Sequence, residues 1–272
     1  MNVLEQVAEN LAAVKSKNPL VHHITNYVTV NDCANITLAV GGSPVMADDV
    51  AEVAEMVSFA SALVLNIGTL QARTIESMLV AGKAAQAKGI PIVLDPVGVG
   101  ATSLRTRTAQ QIICEVQPTV IRGNMSEIKV LAGLAAEIHG VDSIADEKDG
   151  VAVARQLASQ LDCVIAVTGK TDVITDGRQV YMIHNGHPIM SKLTGTGCMA
   201  SSLVGSCCGA SKNNLIGAVA GILLMGLSGE RALCGLQSGE GIGTFHGRLF
   251  DEIFNMTTEK ILQGGKVSLH SL

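Results

Sequence analysis

The sequence predicts an α/β fold: one domain over residues 1–272, with a central, mostly parallel sheet covered by helices on both faces. Three observations carry that expectation. Continuous apolar runs at 62–68, 90–95, 119–122 and 163–168 alternate with longer segments of helical periodicity, and strands that are apolar throughout are those buried on both faces. Apolar residues make up 47% of the chain but aromatics only 2%, so the core must be Val, Ile, Leu, Ala and Met, which suits helices layered on a parallel sheet. No linker, low-complexity tract or internal repeat stands out, and the length is ample for one large core.

An acidic amphipathic helix over 3–14 opens the chain. Residues 19–27 read as extended. Asn31 is placed as the N-cap of a helix that runs to Val40 and stops at Gly41-Gly42. Residues 43–46 read as a short strand, and Asp48 and Asp49 as the start of a helix to about Ala60. After the strand at 62–68, helices over 71–88 and 105–116 lead to the strands at 90–95 and 119–122. A helix over 125–134, a polar stretch to Gly150 and a helix over 151–161 then lead to the strand at 163–168. Asp176-Gly177 between two short apolar runs is a hairpin signal. The tail reads as helical over 198–208, 214–234 and 245–261.

The bulk numbers exclude several functions. Net charge is −5, no Lys/Arg block occurs, and Trp is absent; without basic patches or stacking platforms, nucleic acid is not an expected partner. Seven cysteines form an odd set with no CxxC pair, and no signal peptide precedes them, so a reducing, cytoplasmic setting is expected. The longest apolar run, 217–227, is shorter than the roughly 20 residues that span a bilayer. It reads as a buried core helix, and no membrane association is expected.

In sheets of this kind ligands sit beyond the carboxyl ends of the strands. That rule picks out the polar residues closing the apolar runs: Asn66, Asp95, Arg122, Asn124 and Thr168. Asp95, before Pro96, is either a turn-forming residue or a carboxylate facing phosphates, directly or through a magnesium-bound water. Gly98-Val-Gly-Ala-Thr-Ser103 misses the dinucleotide pattern GxGxxG at its third glycine, and no acidic residue ends a following strand at the usual offset. In Arg122-Gly-Asn-Met-Ser-Glu127, Asn124 can cap a helix whose first turn carries Glu127. The spacing is equally that of ordinary capping and of a site where Arg122 clamps a phosphate while Asn124 and Glu127 hold hydrated Mg²⁺. Thr168-Gly169 either turns the chain or bonds a nucleotide phosphate. His22 and His23 lack metal partners at ligand spacing, so no zinc site is expected.

The organising stretch is Lys192–Ser202. Met199, Ala200, Leu203, Val204 and Cys207 recur at near-helical spacing, so Gly195 and Gly197 sit where a helix begins. A helix N-terminus offers unpaired N–H groups and the positive end of the macrodipole, and glycines let that backbone approach an anion. Read alone, the turn is common in α/β proteins and Cys198 is equally a buried small hydrophobe. Read with the strand-end residues, Gly195, Thr196 and Gly197 form an anion hole for a transferring phosphoryl group, with Cys198 facing the atom that attacks it.

Together these motifs resemble the ribokinase-like superfamily and, within it, the hydroxyethylthiazole kinase family of thiamine salvage. The likeness is carried by 20–26 (LVHHITN), 42–46 (GSPVM), 65–69 (LNIGT), 94–98 (LDPVG), 121–124 (IRGN) with Glu127, 166–169 (AVTG) and 194–198 (TGTGC), in order along nearly the whole chain. It implies ATP-dependent phosphorylation of the primary hydroxyl of 4-methyl-5-(2-hydroxyethyl)thiazole. It further implies that Met46, Asn26 and Gly195 meet the thiazole alcohol, that Arg122 and Thr168 bind ATP, and that Asp95 and Glu127 serve Mg²⁺. A homotrimer with sites between neighbouring subunits is implied as well. Most members of the wider superfamily carry Asp where this chain has Cys198, as base for the attacking hydroxyl. Cys198 is therefore expected to orient that hydroxyl and accept its proton late, since phosphoryl transfer depends more on positioning and charge neutralisation than on proton removal.

Overall fold

A computed structural model describes residues 2–139 and 150–270. Helix α1 (Val3–Lys17) starts at a capping box, with the Asn2 side chain accepting from the backbone and Glu5 bonding back to the cap amide. The first parallel unit is β1 (Leu20–Ile24), α2 (Val30–Val40) and β2 (Ser43–Val45). Four crossovers follow: α3 (Val53–Phe59) to β3 (Ala62–Asn66), α4 (Ala72–Lys88) to β4 (Ile92–Asp95), α5 (Ser103–Val116) to β5 (Val120–Asn124), and α6 (Met125–His139) with α7 (Gly150–Leu161) to β6 (Val164–Thr168). The hairpin β7 (Asp172–Thr175) and β8 (Val180–Ile183) precedes a 3-10 turn at Pro188–Lys192 and the helices α8 (Thr196–Ala210), α9 (Asn214–Cys234), α10 (Ile242–Phe254) and α11 (Thr258–Gly264). Strand β9 (Val267–Leu269) closes the described chain.

Among the described residues the strands form one sheet in the order β2-β1-β3-β4-β5-β6-β7-β8-β9. The pairs from β2 to β6 are parallel and those from β6 to β9 antiparallel. Alternate strand residues point to opposite layers. Val21, Val64, Val93, Val120 and Val164 meet α1, α2, α8, α9 and α10; Leu63, Leu65, Ile92, Leu94, Ile121 and Ile165 meet α3 to α7. Helix α9 is long and apolar enough to cross a membrane by length and composition, yet its apolar stretch is buried in the first layer. Its bounds are those that the sequence predicts, 214–234.

Several local expectations are corrected. Asn31 is not the cap of α2: the helix starts at Val30 after Thr29, and Asn31 instead accepts from Asn35 one turn on. Asp49 shapes the turn before α3 through the Ala51 amide, so that helix begins at Val53 rather than at the two aspartates. The single helix over 245–261 is two, because the Thr257 hydroxyl caps a new start by accepting from Lys260 N. Strand β9 and the 3-10 turn have no counterpart in the sequence reading. The polar stretch at 140–149 lies outside the described residues.

Candidate active site

The chain leaves β1 in one direction to form β2 and returns in the other to form β3, so the strand order reverses between β1 and β3. Such a reversal sends the flanking loops to opposite faces and opens a crevice at the carboxyl edge. A cavity of about 420 Å³ lies there, lined in part by Asn26, Gly68, Asp95, Arg122, Glu127, Gly195 and Cys198. Register aligns its floor: Asn66 pairs with Asp95 across β3 and β4, and Asn124 with Thr168 across β5 and β6.

The start of α8 forms one wall. Gly195 holds φ +86° as its N-cap, a left-handed conformation that favours glycine. A Cβ there would also meet the Thr29 methyl at 2.7 Å. A Cβ on Gly197 would lie 2.7 Å from Arg122 Nη1, so the guanidinium rests directly on the helix mouth. Thr196 turns away from the cavity, its hydroxyl donating to Met190 O at 3.4 Å. Cys198 is half-buried and faces the cavity, its Sγ accepting from Asn26 Nδ2 and Asn66 Nδ2, both at 3.3 Å.

Asp95 lies beneath with no exposed surface. Its Oδ2 accepts from Asn66 Nδ2 at 2.9 Å and Ser201 Oγ at 2.8 Å, and Arg122 Nη1 stands 3.7 Å away. Among the described residues Oδ1 has no hydrogen-bond partner. Burial raises the Asp95 carboxyl above the ordinary carboxylate range, against the opposing pull of Arg122 and Ser201. Arg122 Nη2 donates to Thr168 Oγ1 at 2.7 Å, which places Thr168 behind the guanidinium, outside the cavity lining. Glu127 accepts from Gly98 N at 2.9 Å and Asn124 N at 2.8 Å, while Asn124 Oδ1 caps the Glu127 amide at 2.9 Å. The capping and site readings of this segment are thus compatible in one geometry. Met46 is half-buried at the end of edge strand β2 and does not line the cavity.

Residues absent from the sequence list also shape the site. Thr29 N and Oγ1 both donate to Asn26 Oδ1 at 3.1 Å. Ser201 was legible as the residue one turn after Cys198 on the same helix face. Arg105, from α5, donates to the carbonyls of Ile67 and Gly68 at 3.0 and 2.6 Å, pinning the loop after β3. Gly98 and Gly100, with φ +71° and +88°, pack against Arg105 and Val130 side chains.

Comparison with known proteins identifies the family and the fold. The model of the hydroxyethylthiazole kinase family matches residues 11–259. A hydroxyethylthiazole kinase of Alkaliphilus oremlandii is 52% identical over 268 residues, covering 98% of this chain and 99% of that protein. The solved structure of a hydroxyethylthiazole kinase protein from Pyrococcus horikoshii OT3 is similar with a TM-score of 0.89 at 35% identity, over 98% of this chain and 100% of that one. A ribokinase-like superfamily protein from Enterococcus faecalis, 13% identical, shares the fold with a TM-score of 0.66 over 90% of this chain and 89% of that one. A ribokinase-like sheet, a cavity at its switch point and these matches along nearly the whole chain lead to one assignment: the chain belongs to the hydroxyethylthiazole kinase family.

Proposed function

We propose that the protein transfers the γ-phosphoryl group of ATP to the primary hydroxyl of 4-methyl-5-(2-hydroxyethyl)thiazole, a step of thiamine salvage. One observation carries the reading: a single cavity joins the glycine-lined mouth of α8 to Arg122, Asp95 and Glu127. The hydroxyl oxygen bonds to phosphorus, the bond from phosphorus to the ADP oxygen breaks, and the hydroxyl proton passes late to the Cys198 sulfur. Gly195, Thr196 and Gly197 present backbone N–H groups to the transferring oxygens, as a helix N-terminus does for phosphate. Arg122, braced by Thr168, neutralises charge on the nucleotide side. Asn26 and Gly195 meet the thiazole alcohol.

Magnesium fits the residues present. Asp95 Oδ1 is a buried acceptor without a donor, and Glu127 supplies a second hard oxygen ligand group, matching the cation's preference. Both Glu127 oxygens already accept backbone N–H groups, which favours a hydrated ion held mainly by these two carboxylates and the nucleotide. When bound, Mg²⁺ contributes charge neutralisation on the phosphate oxygens.

Met46 lies outside the cavity of one chain; in the homotrimer that the family resemblance implies, the early segment of one subunit would complete the thiazole pocket of a neighbour. A cytoplasmic setting accords with seven free cysteines. The test is an ADP-release assay with the thiazole alcohol, with hydroxymethylpyrimidine and ribose as competing acceptors and mass determination of the product. A thiazole monophosphate is the expected product; ADP release only with another acceptor sinks the reading.

A further inference from the structure

The backbone ladder between β3 and β4 runs out at the edge of the cavity, with Ile67 N donating to Asp95 O at 3.2 Å. Beyond that bond the chain forms two loops that build different walls. The loop after β3 brings Gly68 and Thr69 to the lining and belongs with Asn26, Asn66 and Cys198: Gly68 N donates to Asn66 Oδ1 at 2.8 Å, and Thr69 Oγ1 accepts from Tyr27 N at 3.2 Å. The loop after β4 brings Val97 to the lining and belongs with Glu127, whose Oε1 accepts from Gly98 N at 2.9 Å. Among the described residues, one side chain bonds to both loops. Arg105, on the first turn of α5, donates through Nη1 to Ile67 O at 3.0 Å and to Val97 O, and through Nη2 to Gly68 O at 2.6 Å.

A guanidinium carries its N–H donors in one rigid plane, and here the single nitrogen Nη1 spends both of its own on spanning the two loops. The fit is close: a Cβ on Gly98 would lie 3.1 Å from that nitrogen and 3.3 Å from Arg105 Cδ, so the φ +71° turn wraps the side chain. Arg105 N in turn donates to the Thr102 hydroxyl at 3.3 Å, which fixes the side chain's root at the start of α5. Its acceptors are backbone carbonyls, and Arg105 does not itself line the cavity. The residue therefore holds chain in place from behind the walls. We propose that Arg105 is a positioning residue that clips the Cys198 wall to the Glu127 wall and so sets the spacing of the two substrates across the cavity. That this spacing serves phosphoryl transfer rests on the function proposed above. The clip between the loops does not, and it is read without substrate.

The test of the clip is backbone hydrogen exchange of the ligand-free protein, read by peptide mass spectrometry over 67–69 and 96–100 in the parent, Arg105→Met and Arg107→Met. Met keeps an unbranched apolar stem and removes the donors; Arg107, exposed two residues further on, controls for the lost charge. With bonds from a charged donor to both loops gone, exchange in both segments should quicken roughly tenfold or more in Arg105→Met and hold at the parental rate in Arg107→Met. Faster exchange in 96–100 alone, or in neither segment, overturns the clip. Steady-state kinetics read the consequence. The groups that meet each substrate remain, so KM for ATP and for the thiazole alcohol should move by less than about threefold, while kcat falls roughly ten- to a hundredfold, up to the cost of a displacement of about 1 Å. A merely structural role lowers the melting temperature and leaves kcat unchanged below it; that result overturns the positioning role. Should Arg105→Met not fold, native-state exchange of the parent in low urea decides: the Gly68 and Gly98 amides must open as one unit with a shared urea dependence, and independent opening sinks the idea. If Arg105→Met frees both loops while the parent phosphorylates no thiazole alcohol, the clip stands and the function proposed above falls.

Discussion

On the side of the cavity formed by Asn26, Asn66 and Cys198, both amides have all their donors and acceptors engaged before any ligand arrives. On the side formed by Asp95, Arg122 and Glu127, the balance is different: Asp95 Oδ1 and Arg122 Nε are buried with no hydrogen-bond partner among the described residues. Buried polar groups are normally satisfied, so leftover ones mark places that something else completes. The contrast separates two ways of building a site. The acceptor side is preorganised by the fold, so its geometry survives without ligand. The side assigned to the nucleotide holds charge in reserve, at a cost in stability that, under the proposed function, an anionic, metal-bearing ligand would offset. Variants on the nucleotide side should therefore change catalysis most.

The largest effect is expected at Arg122. Arg122→Met removes the guanidinium against the helix mouth, and under the proposed reaction kcat/KM for ATP falls roughly a thousandfold. Steady-state kinetics check this, alongside thermal melting to confirm a folded protein. A variant as active as the parent would return Arg122 to a role in the Asp95 and Thr168 contacts alone. Gly197→Ala probes the same contact from the helix. The added Cβ would sit 2.7 Å from Nη1, and the guanidinium, at the end of a flexible side chain, must move. A displacement of about 1 Å in a positioned group costs on the order of a hundredfold in rate, so kcat/KM should fall roughly ten- to a hundredfold with little change in melting temperature. If melting drops and the rate does not, the close approach is only packing.

On the preorganised side the effects are smaller. Cys198→Ala should slow turnover roughly ten- to a hundredfold, at or below the low end of the roughly 10²–10⁴-fold range of proton-transfer assistance because the proton moves late, with the fold unchanged. Cys198→Asp should keep or improve turnover, since a carboxylate accepts from the same two amides and is ionised near pH 7. An Ala variant turning over at the parental rate would reduce Cys198 to a packing residue.

How far the sequence foretold these two sides depends on which forces set them. Strands β3 to β6 were legible because burial on both faces writes continuous apolar runs, and their polar ends fall in register at one edge by topology alone. Asn124 and Glu127 were legible because a capping box is local. The amide pair was not. Asn26 and Asn66 lie 40 residues apart and meet only because β1 and β3 are neighbours. Thr29, which locks Asn26 and abuts Gly195, looked like loop; Asn31 was the better cap by residue type, but Thr29 stands where the chain leaves β1. The break between α10 and α11 was hidden by apolar periodicity that continues through Met256 and Ile261, both core residues.

A buried titratable group on each side sharpens the comparison through pH. Asp172, beyond Thr168, is buried, and burial pushes its carboxyl from the ordinary 3.8 up to about 6, against the Gly169 N–H that it accepts at 2.8 Å and the charge of Arg122. His23, below Cys198, bonds Val21 O and Ser202 Oγ, and burial lowers it from 6.5 to about 4. The signs are opposite. Folded Asp172 holds a proton that the unfolded chain releases, so its stabilising contribution is present at low pH and is lost as pH rises from about 4 to about 6. Folded His23 refuses a proton that the unfolded chain takes up, so its contribution is present above about pH 6.5 and is lost as pH falls toward about 4. Each displacement corresponds to an upper bound of roughly 3 kcal/mol. Asp172→Asn keeps an acceptor for Gly169 and removes the buried charge. It should raise stability near pH 7 by roughly 1–3 kcal/mol, with the gain shrinking to nothing by about pH 4. Urea unfolding of parent and variant across that range measures it. With only the His23 leg left, the variant should lose stability more steeply on acidification than the parent. A gain that is the same at every pH would mean that Asp172 is not carrying a buried charge on the nucleotide side.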